Sequence, residues 1–192
     1  MRNLINLNKV NKSTVVLLCS LLLIGVSITG VFAYLMDADK ANNVTVVGGN
    51  RIEIVEEFDP PDKIEPNVEF TKDVSVNNVG LSDCFVRVKA VFTDSDMEKY
   101  CTVDFNSSED ASDNTVDYWY NKEDGYYYLK EILESGERSA SLFTKIKISE
   151  DIPANEIKDF DVLVYVESYQ SEGFTDYKDA WTHYHRNNPS NS

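Results

Sequence analysis

Apolar residues in this chain recur at every second position, in short runs separated by turn residues, and that spacing restricts the fold more than any other feature. In Cys84-Phe85-Val86-Arg87-Val88-Lys89-Ala90-Val91-Phe92, the cysteine shares a strand face with Val86, Val88, Ala90 and Phe92. Leu142, Thr144, Ile146 and Ile148 alternate with Phe143, Lys145 and Lys147, and the longest strand candidate, Asp159 to Tyr169, turns Phe160, Val162, Val164 and Val166 inward. Ile52 and Ile54 alternate with Glu53 and Val55 ahead of Pro60-Pro61, a pair that forces an extended linker. Val74-Ser75-Val76 runs into the turn Asn77-Asn78-Val79-Gly80. Val116 to Tyr120 and Gly125 to Leu129 read as aromatic strands of a hairpin whose loop closes on Asp124-Gly125. Short strands and turns in this order predict an all-β antiparallel sandwich.

Helix is scarce. Phe174, Tyr177, Trp181 and Tyr184 fall on one helical face at spacings of three and four, which predicts a short C-terminal helix capping the end of the sandwich. Asp94 to Tyr100 reads as a helical turn, and Asn106 to Thr115 as a mobile acidic loop without apolar period. Residues 187–192 are Asn, Pro and Ser and read as a disordered tail.

The first 40 residues have the make-up of an export signal. Arg2, Lys9 and Lys12 give a positive start with no acidic residue before Asp37; an apolar run from Val15 to Val26 follows, then Val31-Phe32-Ala33. Small residues one and three positions before the cut suit a signal peptidase, which places cleavage between Ala33 and Tyr34. The stretch Val15 to Ala33 also has the 19 residues of an uncleaved membrane anchor, but its second half is rich in Ser, Thr and Gly. Lipidation at Cys19 ranks last, because Leu18 is too large for a lipobox. Losing three basic residues moves the net charge from −15 to −18. Such a surface repels nucleic acid and anionic membranes, so neither is an expected partner and membrane contact ends at cleavage. The organisation expected is a signal peptide at 1–33, an N-terminal strand and hinge at 34–49, a sandwich domain at 50–186 and the tail.

The residues that carry chemistry elsewhere are thin here. Cys84 and Cys101 both face the apolar side of their strands, so a disulfide between them and plain core packing are equally open. His183 and His185 are the only histidines, and two residues apart on a helix they diverge by about 200°. With Asp176, Asp179 or Glu172 they make at most a weak metal site. Neither His-Glu-x-x-His nor Gly-x-Ser-x-Gly occurs, and no enzymatic role is expected. No cofactor is expected either. Calcium is a weak possibility: Asp94-x-Asp96-x-Glu98 and the cluster Glu109, Asp110, Asp113 and Asp117 supply hard oxygen ligands without the twelve-residue spacing of a calcium loop. Tyr118, Trp119, Tyr120, Tyr126, Tyr127 and Tyr128 raise carbohydrate binding by ring stacking, although alternation requires about half of them to face inward.

Several segments, taken in order, resemble the TasA/camelysin family of secreted Gram-positive proteins. They are Ala33-Tyr34-Leu35-Met36-Asp37-Ala38-Asp39, the block Phe70 to Gly80, Phe85-Val86-Arg87-Val88, Leu142-Phe143 after the Glu134 to Glu137 turn, Tyr165 to Gln170, and Ala180-Trp181. The resemblance implies a jelly-roll sandwich, cleavage by a SipW-type signal peptidase, and a role as subunit or accessory of biofilm-matrix or cell-surface fibres. Some relatives carry a metalloprotease label that the residues here do not support. A fibre of such domains has a physical route. Val44-Thr45-Val46-Val47 is strongly strand-forming, Gly48-Gly49 behind it supplies a hinge, and a strand freed by cleavage can complete the sheet of the next copy or of a related matrix subunit. From the residues alone the same four would form the first strand of their own domain, and it is the resemblance that favours exchange. The alternative function is a secreted carbohydrate- or surface-binding module. The tail lacks a Leu-Pro-x-Thr-Gly signal, so covalent sorting to a cell wall is not expected.

Overall fold

The computed structural model describes residues 44–45, 50–61 and 63–188. The signal segment, the cut at Ala33–Tyr34, Val46 and Val47 of the donor strand, the Gly48-Gly49 hinge and residues 189–192 lie outside the described residues. The elements are β1 (Val44–Thr45), β2 (Ile52–Asp59), β3 (Glu69–Asn78), β4 (Cys84–Phe92), α1 (Ser95–Glu98), β5 (Cys101–Val103), β6 (Ser107–Ser108), β7 (Tyr118–Asn121), β8 (Tyr126–Leu129), β9 (Phe143–Ile148), β10 (Val162–Gln170) and α2 (Tyr177–Asn187).

They form a β-sandwich. One sheet has the order β1-β10-β4-β8-β7-β6 and the other β2-β3-β9-β5. The late strands return beside early ones, β10 between β1 and β4 and β9 between β3 and β5. Pairing is antiparallel except for β1 on β10 and β6 on β7. Between the sheets lies one core in which Ile52, Val74, Val76 and Ile146 meet Cys84, Val86, Val88, Val162, Val164 and Val166. Tyr118, Tyr127 and Leu129 of the hairpin belong to the same core and Tyr120 packs against it, so three of its six aromatics do face inward.

Three expectations need correction. The helix does not cap an end of the sandwich: α2 lies on the outer face of the larger sheet, where Tyr177, Ala180, Trp181 and Tyr184 pack on Phe85 and Tyr128. A sheet face made of Phe and Tyr rings gains more from a covering aromatic helix than from water. Next, Phe143 does not alternate outward; it is buried together with Leu142. The pairing of β3 with β9 shifts between Thr71↔Lys145 and Val74↔Phe143, so β3 carries an extra residue there, a β-bulge that re-aims the side chains. The bulge includes Lys72, which is buried and ion-paired to Asp161 at 3.0 Å and Glu56 at 3.6 Å. Finally, residues 106–115 are tied down rather than loose. Ser107 and Ser108 pair with β7, Asp110 and Asp113 accept bonds from the backbone two residues on, and the Lys130 ammonium donates to the Asp113 and Val116 carbonyls. The helical turn at α1 is as expected: Asp94 caps it, accepting from Asp96 N and Met97 N, and Met97 is buried against Ile148 and Ile152.

The turn after β3 is held by one side chain. Asn78 is buried; its Nδ2 donates to the Ser82 and Leu133 carbonyls at 2.9 and 3.0 Å, and its Oδ1 accepts from Gly80 N at 3.0 Å. Gly80 sits so close to the segment leading into β2 that a Cβ would fall 2.8 Å from Arg51 N. Asn78→Ala removes all three bonds that hold the turn, and is expected to lower stability by about 2–3 kcal/mol in urea unfolding. A loss within experimental error would show that water replaces the amide.

Candidate functional site

Two places on the larger sheet combine unusual features. The first is its β10 edge. Nine residues of β10 pair with β4 along one side, from Val162↔Phe92 to Gln170↔Cys84. On the other side, among the described residues, pairing is confined to Val44↔Val166 and Thr45↔Glu167. The N-terminal strand is thus an edge addition made through backbone bonds, in parallel register. Beside it, on the outer face, Leu163 and Val91 are register partners and both are exposed, at 42% and 38%, with Tyr165 at 38%. The core cluster of that strand is on the opposite face.

The second is the ground beneath α2. Alternation that sends Val86 and Val88 into the sandwich sends Arg87 out of it, yet Arg87 has no exposed surface. Its Nε and Nη2 donate to Glu167 Oε2 at 2.8 and 2.5 Å, and its Nη1 donates to the Tyr128 hydroxyl at 3.1 Å and to His185 Nε2 at 2.9 Å. The Tyr128 hydroxyl in turn donates to Asp124 Oδ2 at 2.5 Å. The guanidinium carbon stands 4.1 Å from the Tyr126 ring centre and 4.5 Å from that of Trp181. Burial alone would weaken the cation, but the bonds to Tyr128 and Glu167 outweigh it and hold the Arg87 pKa above its ordinary value. Because Arg87 donates to Nε2, the His185 ring must be neutral with its proton on Nδ1.

Between α2 and the β7–β8 hairpin opens a cleft of about 440 Å³. Trp119 and Tyr128 line it from the hairpin and Tyr177 and Trp181 from the helix, with Asn121, Glu123, Asp124, Lys178, Thr182 and His185 around them. Tyr177 OH, Trp181 Nε1 and His185 Nδ1 are buried without a partner among the described residues. Each such atom costs about 1–3 kcal/mol. A second hollow of about 330 Å³ is lined by Phe58, Pro60, Phe70 and Phe160 around the paired Lys72.

The remaining residues singled out by the sequence are scattered. Cys84 lies on β4 and Cys101 on β5 of the facing sheet, and both are free thiols packed on the same core. Burial, with Asp83 adding, pushes the Cys84 thiol up to about 12, and burial with Glu98 pushes Cys101 up to about 11, so neither is a nucleophile at neutral pH. His183 turns to Tyr169 OH at 2.9 Å, away from His185. Asp94 and Asp96 are occupied by Lys158, and among the described residues no three acidic, histidine or cysteine side chains gather as a metal site. Among the same residues no helix is long and apolar enough to cross a membrane. Sequence reasoning missed Arg87 as the centre of the outer face. The signal was present: an aromatic helix face needs an aromatic surface to cover, and Phe85, Tyr126 and Tyr128 supply one. The sequence matches no protein-family model and no curated protein.

Two tests bear on this centre. Glu167→Ala leaves a buried guanidinium without its carboxylate and is expected to cost about 3–5 kcal/mol in denaturant unfolding, whereas replacing both charges in Arg87→Met with Glu167→Leu costs less than Glu167→Ala alone. A double variant no better than the single one would mean that the pair contributes little beyond its packing. The second test is pH. Burial first, and the Arg87 charge second, lower the His185 pKa below its ordinary value. The unfolded chain therefore takes up this proton at higher pH than the folded one. This contribution is fully present at neutral pH and is lost as pH falls through about 6.5 and below. His185→Gln should flatten the decline in melting temperature between pH 7 and 5; an unchanged slope would assign that decline to other groups.

Proposed function

We propose that this protein is a secreted, non-catalytic structural subunit, or an accessory to one, of extracellular fibres at the cell surface or in a biofilm matrix. Its copies join by β-strand addition after a SipW-type signal peptidase cuts between Ala33 and Tyr34. The observation that carries the reading is the attachment of β1. It joins its sheet at the edge, through backbone pairing with Val166 and Glu167, and the same edge of another copy offers the same bonds. Exchange of an identical strand between copies gives a heterologous contact that does not close, which is how a filament grows. The exposed Val91, Leu163 and Tyr165 beside that edge supply apolar surface for the neighbouring subunit. Until the cut the N-terminus is held at the membrane, so processing sets the moment of assembly.

The test compares the chain from Tyr34 with one that begins at Asn50, by electron microscopy and size exclusion. Fibres or ladders are expected from the longer form and monomers from the shorter, and Thr45→Pro, which removes a ladder donor, should behave as the shorter form does. A longer form that stays monomeric under all conditions, folded by circular dichroism, would overturn self-assembly. Assembly only after addition of a second matrix protein would make this chain an accessory.

A further inference from the structure

The cleft between α2 and the β7–β8 hairpin has no part in strand addition, and its make-up is that of a ligand site. It is concave, of a size common for small-molecule sites, walled by aromatic rings and edged by a few polar groups. Trp119 is half-buried, and its Nε1 donates to the Glu109 carbonyl at 3.1 Å, which fixes the plane of the indole. Tyr128 and Tyr177 pack on it at 5.3 and 6.1 Å between ring centres, so the wall is rigid. Five residues bury side-chain polar atoms with no partner among the described residues, and three of them, Tyr177, Trp181 and His185, line this cleft. Two are almost wholly buried, Trp181 at 2% and Tyr177 at 6% exposed. Native interiors rarely leave such groups unpaired, and here they gather where a guest could meet them with a small shift of the rings.

We infer that this cleft binds a neutral pyranose unit of a polysaccharide, stacked on the Trp119 wall with its hydroxyls toward Glu123, Asn121 and the unpaired floor groups. A pyranose ring has an apolar C–H face for the indole and hydroxyls that both donate and accept, which is what carboxylate, amide, imidazole and indole N–H require together. Other ligand classes fit less well. An anionic group would meet Glu123 and Asp124 with Lys178 as the single lining cation, and a purely apolar molecule would desolvate the polar rim without replacing its bonds. An added peptide strand would need open ladder groups, but β7 already has β8 on one side and β6 on the other. Lys178 stands 5.6 Å over the Trp119 ring and 5.7 Å over that of Tyr177, and as a long, flexible side chain it can move aside for the sugar.

The chain has only two tryptophans, Trp119 and Trp181, and both line the cleft, so tryptophan emission, excited selectively over tyrosine, reports on this site alone. The chain from Tyr34 is titrated with cellohexaose, with a hexamer of N-acetylglucosamine, and with polygalacturonate as the anionic control, and heats are measured in parallel. At least one neutral hexamer is expected to give a saturable change in emission, and polygalacturonate none. Trp119→Ala should weaken binding about tenfold or more. Thr182→Arg, an exposed helix position that places a long side chain in the cleft, should abolish binding with the melting temperature unchanged. This second variant holds the test open if the first fails to fold. No response to either neutral hexamer at millimolar concentration, binding that survives Thr182→Arg, or binding of the polyanion or of an unrelated peptide in their place would overturn the assignment. The result is independent of whether the protein forms fibres.

Discussion

A guanidinium with no exposed surface has to keep its partners, and the outer half of this molecule is arranged around that requirement. Arg87 reaches Glu167 on one neighbouring strand, Tyr128 on the other and His185 on the covering helix. A buried charge of this kind adds little net stability when paired, but it penalises every arrangement in which a partner is displaced. It therefore sets the register of β10 and β8 on β4 and the seat of α2 together. Tyr126, Trp181 and Tyr184 close around the guanidinium with their ring faces, so the same cation that needs carboxylate bonds also rewards aromatic packing.

The consequence is an asymmetric sandwich. The inner core between the sheets is aliphatic and conventional, built from alternating valines and isoleucines. The second cluster, of Phe85, Tyr128, Tyr177, Ala180, Trp181 and Tyr184, lies outside the larger sheet and is mostly aromatic. It turns the segment Cys84 to Val88 into a strand buried on both faces, while the far end of the same sheet, at Val91, Leu163 and Tyr165, stays open. One sheet thus presents three kinds of surface: an aliphatic interior, a helix-covered half with a cleft at its margin, and an uncovered half beside the β1 edge. The proposed assembly and the proposed sugar site occupy different parts of it, and neither obstructs the other.

Much of the architecture was legible in the residues. The boundaries of β4 follow from its alternation, the hairpin from Asp124-Gly125, and the helix from the spacing of Tyr177, Trp181 and Tyr184. The errors have physical causes. Period two identifies which residues share a face but not whether a face is wet, so nothing local to Arg87 shows that it is buried. A bulge changes the count on one strand alone, and nothing in Lys72-Asp73 or Leu142-Phe143 announces that their pairing slips. The acidic loop looked free because its ties, to Lys130 and to β7, come from residues distant in sequence.

What the sequence by itself determined was most of the strands, the inward side of most of their residues and the aromatic face of the one substantial helix, because those depend on periods of two and 3.6 that are local. What only the tertiary structure decided was which strands are neighbours, which face α2 covers and what Arg87 touches. Those contacts join residues 80 and 98 positions apart, and their energies depend on burial, which no local pattern of residues specifies.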